Sequence, residues 1–593
     1  MAELTVDIKT PFGVVDMGSN GIRFGIITAL VRHLPVAYEE RAPISLLDAQ
    51  GDEHVIPEET IELVITSFLR FKLLCEHAGV QMQHVKVIAT EATRIAHNAT
   101  DFLQRIYEHT QWKVDILSKE QEAMLSTLGV VGSFDRVNGL VMDLGGGSVE
   151  LSHVRTLKHA GQFQAAASPV SLPFGAAVLK NRLIRCNTAS ERQMLYQEIV
   201  EHFQRAKAQV QVPEDLHHPE GYTVYMSGGG FRALAYLSMA AGHQSQPSSK
   251  RRLAYPIPIV HGYNLSGEEL LKLAKRYMDR QPEELVRELC VFRISKRRAA
   301  MIPAACFLVS AIMQVVPIRR VFFSEGGVRQ GFCYHLLAPA EQAKDPLLEE
   351  VKQHASQSPH ALSPTDYHAI YKTLLDAIPR AYLQHDHPLQ LHRLLPVAVH
   401  LSNMTSHYPK GTRAFVAFHM PLAGGSLANV CGITHRERAL LALMLAFRHG
   451  GEIPDPIFDA VQAMMGEKAL AVCRFVGRLM ELVFAVTPLR PELGLTNSGI
   501  TFQTVPVEGS MMLVQGDENV CTKDHTEDEH YKPARLRVIL PSQPCPQVDA
   551  PVVMSVIQSM DKRVNLTTTC GMDENQSSFH RSVNLFSVDI SRR

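Results

Sequence analysis

The chain has 593 residues, a formal net charge of −1 and a hydrophobic content of 46%. This length predicts several domains, and the near-neutral charge gives no indication of a nucleic acid or a membrane surface as a partner. The ten cysteines are scattered without a CxxC pair, which is typical of reduced thiols rather than of a disulfide framework or a zinc site. Because the N-terminus lacks an apolar signal segment, we expect a soluble, cytoplasmic protein.

Apolar strands alternate with amphipathic helices over the first 337 residues, a pattern typical of α/β architecture. Two segments in this region are alike, since each has an apolar strand, an aspartate, a Gly-rich turn and a second strand. The first contains VVDMGSNGIRF and the second contains VMDLGGGSVEL. Their aspartates, Asp16 and Asp143, lie 127 positions apart. This domain-sized spacing predicts two similar halves that present their turns to a shared cleft.

Beyond residue 346 the pattern changes to helices, and short alternating runs follow toward the C-terminus. The acidic stretch GDENVCTKDHTEDEH favours a solvated loop, and several prolines after residue 540 predict a tail of partial order. The predicted domains are two α/β halves, a helical domain, a small α+β subdomain and a partly disordered tail, at residues 1–132, 133–337, 346–480, 481–541 and 542–593.

The two glycine turns are candidates for phosphate binding, because tight turns expose consecutive backbone N–H groups that form a concave donor site. One such turn alone would more often be an ordinary hairpin, whereas two turns with aspartates in register favour phosphate. Asp16 and Asp143 are placed to hold Mg²⁺ directly or through water. The predicted binding residues of the turns are Gly18, Ser19, Asn20, Gly145, Gly146, Gly147 and Ser148.

Three further segments could complete such a site. Glu120 and Glu122 open a helix, where periodicity alone favours ordinary helix-end charge; beside a phosphate cleft, one of them could be a general base. Arg94 follows a strand and could clamp a phosphate with two hydrogen bonds, although alone it would more often be a surface residue. The strand–glycine–helix junction YMSGGGFRALA offers Gly228 and Gly229 to a phosphate or an adenine edge.

These motifs, together with ATEATRIAHNATDFL, ILSKEQEAMLSTLGV, SLPFGAAVL and SEGGVRQGFCY, resemble the exopolyphosphatase/guanosine pentaphosphate phosphatase (Ppx/GppA) family. The long C-terminal region is most similar to the fungal retrograde-regulation branch, whose members signal mitochondrial dysfunction to the nucleus. The resemblance implies two actin-like ATPase (ribonuclease H-like) domains around a cleft, then a helical HD-like domain and a small C-terminal β-containing region. The HD-like domain would lack the His-Asp pair of active members, since Leu401 follows His400.

The resemblance also implies residue roles. Glu122 matches the catalytic base of the family. Glu150 matches an acid that would hold the metal ion together with Asp16 and Asp143. Arg23 and Arg94 match phosphate contacts. The implied cofactor is Mg²⁺, and the implied ligand is ATP or a polyphosphate.

Departures from the family pattern leave the function open. Glu91 puts an acid beside Arg94, which should weaken polyanion affinity, and Val149 removes a hydroxyl after the second turn. The first candidate is a Mg²⁺-dependent phosphoanhydride hydrolase with Glu122 as the base. The second is a sensor that closes on ATP or another polyphosphorylated ligand and presents a surface to a regulatory protein partner, with a homodimer as one possible state. The third is a scaffold that only keeps the fold. We favour the sensor in retrograde signalling, with hydrolysis undecided.

Overall fold

The computed structural model describes residues 10–157, 162–241, 255–288, 296–423, 427–451, 453–489, 491–507, 530–565 and 585–593. The chain forms two compact units. Unit 1 comprises residues 1–250, 258–349 and 431–433, and unit 2 comprises residues 251–257, 350–430 and 434–593. Both predicted halves of the cleft therefore fall mainly in unit 1.

Two sheets of unit 1 have the same strand order. The strands are β1 (Phe12–Gly18), β2 (Gly21–Ile27), β3 (Val36–Ala42), β4 (Val85–Ala89), β5 (Val114–Ile116), β6 (Asn138–Leu144), β7 (Val149–Thr156), β8 (Phe163–Ala165), β9 (Val170–Leu172), β10 (His217–His218), β11 (Gly221–Ser227), β12 (Asn264–Ser266) and β13 (Ile318–Phe323). One sheet has the order β3-β2-β1-β4-β5, and the other contains β13-β11-β6-β7-β8 with β12 beside β13. In both, an antiparallel β-meander is extended by two parallel strands. The repeated order confirms the predicted pair of actin-like halves.

The helices of unit 1 cover these sheets. They are α1 (Leu46–Gln50), α2 (Glu58–His77), α3 (Glu91–Ile95), α4 (Ala99–Thr110), α5 (Lys119–Ser133), α6 (Ala176–Arg185), α7 (Ala189–Val210), α8 (Gly228–Ala241), α9 (Gly267–Tyr277), α10 (Pro282–Glu288), α11 (Lys296–Ala299), α12 (Ile302–Val315), α13 (Val328–His335) and α14 (Pro339–Gln342). In the first half, Phe24 of β2 packs on Phe68 and Phe71 of α2, with ring centroids 5.5 and 4.8 Å away. Such aromatic contacts fix α2 on the sheet beside the first turn.

The helices α5 and α13 cross where the two halves of unit 1 join. α5 begins at a capping box in which the Ser118 hydroxyl accepts from the Gln121 N–H and the Gln121 side chain accepts from the Ser118 N–H. A Cβ added to Gly331 of α13 would lie 1.8 Å from the Leu125 carbonyl oxygen of α5, and one added to Gly129 would lie 2.3 Å from the Gly327 carbonyl oxygen. The two backbones are therefore in direct contact, which only glycine permits.

Unit 2 is mainly helical and ends in a small sheet. Its helices are α15 (Pro346–Ser356), which begins in unit 1, α16 (Pro364–Ala377), α17 (Leu391–Ser406), α18 (Arg413–His419), α19 (His435–Arg448), α20 (Pro456–Met465), α21 (Glu467–Val486), α22 (Pro491–Ser498), α23 (Pro546–Asp549) and α24 (Pro551–Val564). The strands β14 (Thr501–Pro506) and β15 (Ala534–Leu540) are antiparallel, and β16 (Phe586–Arg592) pairs with β15 in parallel. The small sheet is the C-terminal β-containing region that the sequence predicts.

The predicted tail, residues 542–593, supplies α23, α24 and β16. Pro546 and Pro551 stand at the first position of their helices, where proline is tolerated because its missing N–H would have no helical partner. Residues 566–584 lie outside the described residues, as does the acidic stretch GDENVCTKDHTEDEH up to residue 529. No helix in the described ranges combines the length and the apolar character needed to cross a bilayer.

Candidate functional site

The first turn, residues 18–21, connects two antiparallel strands with only two residues at its tip. Gly18 pairs with Gly21 across β1 and β2, which leaves Ser19 and Asn20 between them. Asp16 faces Arg23 across the same pair of strands, with 3.6 Å between Asp16 Oδ2 and Arg23 Nη1. Asp16 is buried, so this charge is held at the base of the turn.

The second turn, residues 145–148, has the same position in the second sheet. The Gly145 N–H donates to the Ser148 carbonyl at 3.0 Å, and Asp143 faces Glu150 across β6 and β7. A Cβ added to Gly146 would lie 2.4 Å from the Asn20 amide nitrogen of the first turn. The lack of a side chain at Gly146 therefore lets the two turns meet, as the sequence predicts for two halves that face one cleft.

Buried carboxylates surround the point where the turns meet. Burial raises the pKa of Glu122 to about 7; the Arg94 guanidinium opposes this rise, and the charges of Glu91 and Asp16 add to it. Burial also raises the pKa of Asp143 and raises that of Glu150 well above its usual range, with Glu122 and Asp143 adding to the effect on Glu150. The carboxylates thus repel one another in a poorly solvated place.

The helix α5 separates the two candidate bases. Glu122 is 8% exposed, whereas Glu120 is exposed and accepts a 2.8 Å hydrogen bond from the Ser118 hydroxyl. Periodicity alone did not show which of the two acids could be the general base. In the structure, the first turn of α5 buries Glu122 and leaves Glu120 exposed to solvent.

Arg94 has carboxylate partners of its own. Its guanidinium donates to Glu91, to Glu122 at 3.2 and 3.3 Å, and to the Leu117 carbonyl at 2.5 Å. Among the described residues that line the cavity, the other predicted binding residues are present and Arg94 is not. Its assignment as a phosphate contact stays a prediction, and its observed contacts hold the Glu122 carboxylate in place.

The third glycine segment packs directly behind the second turn. A Cβ added to Gly228, whose φ is +88°, would lie 2.3 Å from both Asp143 Oδ1 and the Leu144 carbonyl oxygen. A Cβ added to Gly229 would meet nothing within 4 Å. Gly228 therefore permits close packing, while Gly229 borders open space.

A cavity of about 220 Å³ collects these groups. Several of its residues were not predicted from the sequence. They lie in β3, just after β4, at the end of β11, in α8 and α11, and in the loop after β13. The sequence carries little signal for them, because their chain positions lie far from the two turns. The unpredicted polar residues are Arg41, Thr90, Ser227, Arg232, Arg298 and Glu325.

The carboxylates fit a divalent cation in their chemistry, because several buried acids repel one another and oxygen atoms are the ligands that Mg²⁺ takes. Within the described ranges, no group of three or more His, Cys, Asp or Glu side chains is arranged to hold a metal ion by itself. A magnesium ion here would need phosphate or water oxygens to complete its coordination, which is its usual habit. Asp16, Asp143 and Glu150 remain the predicted magnesium residues.

Two models of known protein families match this chain. The model of the Ppx/GppA phosphatase family matches residues 26–340, which is more than half of the chain. The chain belongs to the Ppx/GppA phosphatase family. Residues 354–492, which include most of the helices of unit 2, match the model of the RTG2 C-terminal domain. The likeness of this region to an HD domain remains an expectation.

Relatives of this family member include both regulators and enzymes. Retrograde regulation protein 2 of Saccharomyces cerevisiae is 33% identical over 80% of this chain and 81% of its own. Exopolyphosphatase 1 of Mycobacterium leprae is 25% identical over 54% of this chain and 87% of its own. Among solved structures, the Ppx/GppA family member of Aquifex aeolicus is 22% identical over 55% of this chain and 97% of its own, with a TM-score of 0.42.

Proposed function

We propose that this chain is a regulator in mitochondria-to-nucleus retrograde signalling that binds ATP or another polyphosphorylated ligand with Mg²⁺ in its cleft. The observation that carries the binding part is the meeting of two Asp–glycine turns in one cavity. The regulatory part is supported by the similarity to Retrograde regulation protein 2, which extends through both units. A regulatory protein partner and a cytoplasmic location belong to the same proposal.

The chain's own residues would divide the work of binding. The N–H groups of the two turns would receive phosphate oxygens, and Asp16, Asp143 and Glu150 would hold the magnesium ion with water. The ion, when bound, neutralises phosphate charge. Because the two turns belong to different sheets of unit 1, a ligand held by both favours the closed arrangement of the halves, and the closed state can be read by a partner without turnover.

A second candidate is an active phosphoanhydride hydrolase of the exopolyphosphatase type. One observation favours it: Glu122 is buried beside the turns and its pKa is raised to about 7. A general base works best when its pKa lies near the operating pH. Ionised Glu122 would orient water toward the terminal phosphate, and turn N–H groups would stabilise the charge that develops there. The rate would then rise as the pH passes upward through about 7.

The deciding experiment measures inorganic phosphate release from polyphosphate, guanosine pentaphosphate and ATP, each with Mg²⁺. Glu122→Gln should reduce any release by about 100- to 10,000-fold, because it removes the base, while the protein still binds the ligand. Glu120→Gln is the matched control, since it removes the same charge from the exposed side of the same helix turn.

The outcomes separate the two candidates. Release that is lost in Glu122→Gln but kept in Glu120→Gln would establish the hydrolase. Binding of Mg-ATP or polyphosphate without release would support the regulator. If the protein binds none of these ligands, the phosphate site itself is wrong, and the chain keeps the fold for another purpose.

A further inference from the structure

The loop between α15 and α16, residues 357–363, contains two serines that each precede a proline, Ser358 and Ser363. A proline at the next position is what proline-directed protein kinases select in a substrate. The Ser358 hydroxyl accepts a hydrogen bond from the His360 N–H at 3.3 Å, and its own proton has no acceptor among the described residues. Pro359 and His360 are exposed. The Ser358 oxygen is therefore available to receive a phosphoryl group.

Ser363 provides a contrast within the same loop. As the N-cap of α16, its hydroxyl donates to Asp366 Oδ2 at 2.7 Å and accepts from the Asp366 N–H at 3.1 Å. Asp366 Oδ1 in turn accepts from the Glu492 N–H of α22 at 2.9 Å. Phosphoryl transfer to Ser363 would break this cap and place a phosphate beside a carboxylate that repels it. Of the two serines, Ser358 is the better acceptor.

The end of α17 brings basic side chains to this loop. The His360 ring stacks on the His407 ring with 4.1 Å between the centroids, and the Asn403 amide donates to the His360 carbonyl at 2.8 Å. Arg413 Nε donates to the carbonyl of Tyr408, the residue after His407, at 3.1 Å. Burial lowers the pKa of His407, and the charges of His360 and Arg413 lower it further. His360, His407 and Arg413 therefore form one basic group at the edge of the loop.

Further positive charge lies at the same end of α17. Arg448 Nη2 donates to the Ser406 hydroxyl at 3.1 Å, so the end of α19 meets the end of α17. Burial lowers the pKa of Arg448 to about 10; the Glu481 charge opposes this change, and the Arg413 charge adds to it. Glu481 itself is shared by two other arginines. Within the described part of the chain, neither Arg413 nor Arg448 forms an ion pair with a carboxylate, and a phosphate would supply the counterion.

We propose that Ser358 is a phosphorylation site for a proline-directed protein kinase, and that its phosphate binds Arg413 and His407. In the transfer, Ser358 Oγ forms a bond to the γ-phosphorus of ATP, the bond from that phosphorus to the β–γ bridging oxygen breaks, ADP leaves, and the hydroxyl proton passes to the base of the kinase. The phosphate adds negative charge and three acceptor oxygens. Its charge-assisted hydrogen bonds fasten the loop to the end of α17. All of these residues belong to unit 2, and none of them lines the cleft.

The test treats the full chain with Mg-ATP and a proline-directed protein kinase, locates the phosphates by mass spectrometry and titrates them by phosphorus NMR. A free phosphoserine has a pKa of about 6, and the two arginines should weaken the proton affinity of the Ser358 phosphate about tenfold. Arg413→Gln should remove most of this effect, whereas Arg413→Lys should keep most of it. Arg380→Ala is the matched control, because Arg380 is exposed beyond the far end of α16, whose 14 residues span about 21 Å.

A synthetic peptide of residues 352–367 with the same phosphate is the reference, because it keeps the neighbouring sequence and lacks Arg413. A pKa below that of the peptide, restored in Arg413→Gln and unchanged in Arg380→Ala, would support the assignment. The absence of phosphate from Ser358 would overturn the modification site. A Ser358 phosphate that titrates as in the peptide would overturn its binding to the basic group. If Arg413→Gln fails to fold, the unaltered chain and Arg413→Lys still decide against the same peptide.

Discussion

Glu91 lies next to two groups that the sequence predicts to bind phosphate, the Arg94 guanidinium and the second glycine turn. It is paired with Arg94, and a Cβ added to Gly147 would lie 2.9 Å from Glu91 Cγ. A partly buried negative charge beside this turn opposes a bound polyanion. Glu91→Gln should therefore raise the affinity for Mg-ATP or tripolyphosphate by about three- to tenfold, which is ~0.7–1.4 kcal/mol.

The check on Glu91 is a pair of binding titrations. Glu120→Gln serves as the comparison, because that carboxylate is exposed and hydrogen-bonded to Ser118. An affinity that rises equally in both variants would mean that overall charge, rather than the position of Glu91, sets the effect. A lower affinity in Glu91→Gln would mean that the Glu91–Arg94 pair organises the site.

Two neighbouring glycines give a contrast in stability. Gly228→Ala adds a methyl group 2.3 Å from Asp143 Oδ1 at a residue with φ +88°, so both crowding and backbone strain should lower the free energy of unfolding by about 2 kcal/mol or more. Gly229→Ala adds the same group to open space and should leave stability within about 0.5 kcal/mol. Chemical denaturation of the two variants measures the difference, and equal destabilisation would show that the close packing at Gly228 is not what requires glycine.

Two partly buried histidines of unit 2, His400 within α17 and His449 at the end of α19, make its stability depend on pH. His449 follows α19 and hydrogen-bonds the Thr405 hydroxyl of α17 at 2.9 Å. Burial lowers the pKa of His449 to about 2, with the charges of Arg448 and Arg413 adding to the effect, and burial lowers that of His400 to about 4. A histidine that stays neutral when folded takes up its proton when the chain unfolds.

The sign of the effect follows from that proton. The folded pKa values lie below the unfolded value of ~6.5, so acid favours the unfolded state, and the free energy of unfolding should fall as the pH drops from 7 to 5. Each group contributes at most about 2 kcal/mol over this interval, and partial solvent access makes about 1 kcal/mol the reasonable figure. His449→Gln should flatten this dependence, while His368→Gln, at an exposed position of α16, should not. Urea titrations at pH 5, 6 and 7 would measure both slopes, and parallel slopes in the two variants would contradict the assignment.

At the scale of helices and strands, the sequence predicts the site residues that belong to a local pattern and misses those that long-range contacts bring to the cavity. Asp16 and Asp143 were predicted because each belongs to a strand–turn–strand pattern, and such a pattern is determined by residues that are close together in the sequence. Arg41 and Arg298 were missed because edge-strand pairing and a short helix bring them to the cavity from distant chain positions. Prolines are also good first residues of helices, as Pro551 is for α24, so the prolines after residue 540 do not by themselves indicate how ordered the tail is, and its partial order stays a prediction.

At the scale of the whole chain, a ligand of the cleft should act on one unit only. Unit 1 contains the cavity, and a ligand that binds only the folded form stabilises it by RT ln(1 + [L]/Kd), or about 2.7 kcal/mol at a hundredfold excess over Kd. Differential scanning calorimetry should therefore show two transitions, of which Mg-tripolyphosphate raises one. A ligand that raises both transitions equally, or a single transition for the whole chain, would contradict independent units.

The crossing of α5 and α13 has a consequence for how this chain changes over time. Glu122 and Gly129 lie seven residues apart on α5, or about 10 Å along the helix axis, and Gly129 touches the Gly327 backbone with no side chain between them. A single methyl group added there would tilt the helix and carry Glu122 with it, although no residue of the cavity had been altered. If the cleft hydrolyses a phosphate ligand, a lineage can therefore lose that activity through Gly129 alone, and its cleft residues would show no sign of the loss.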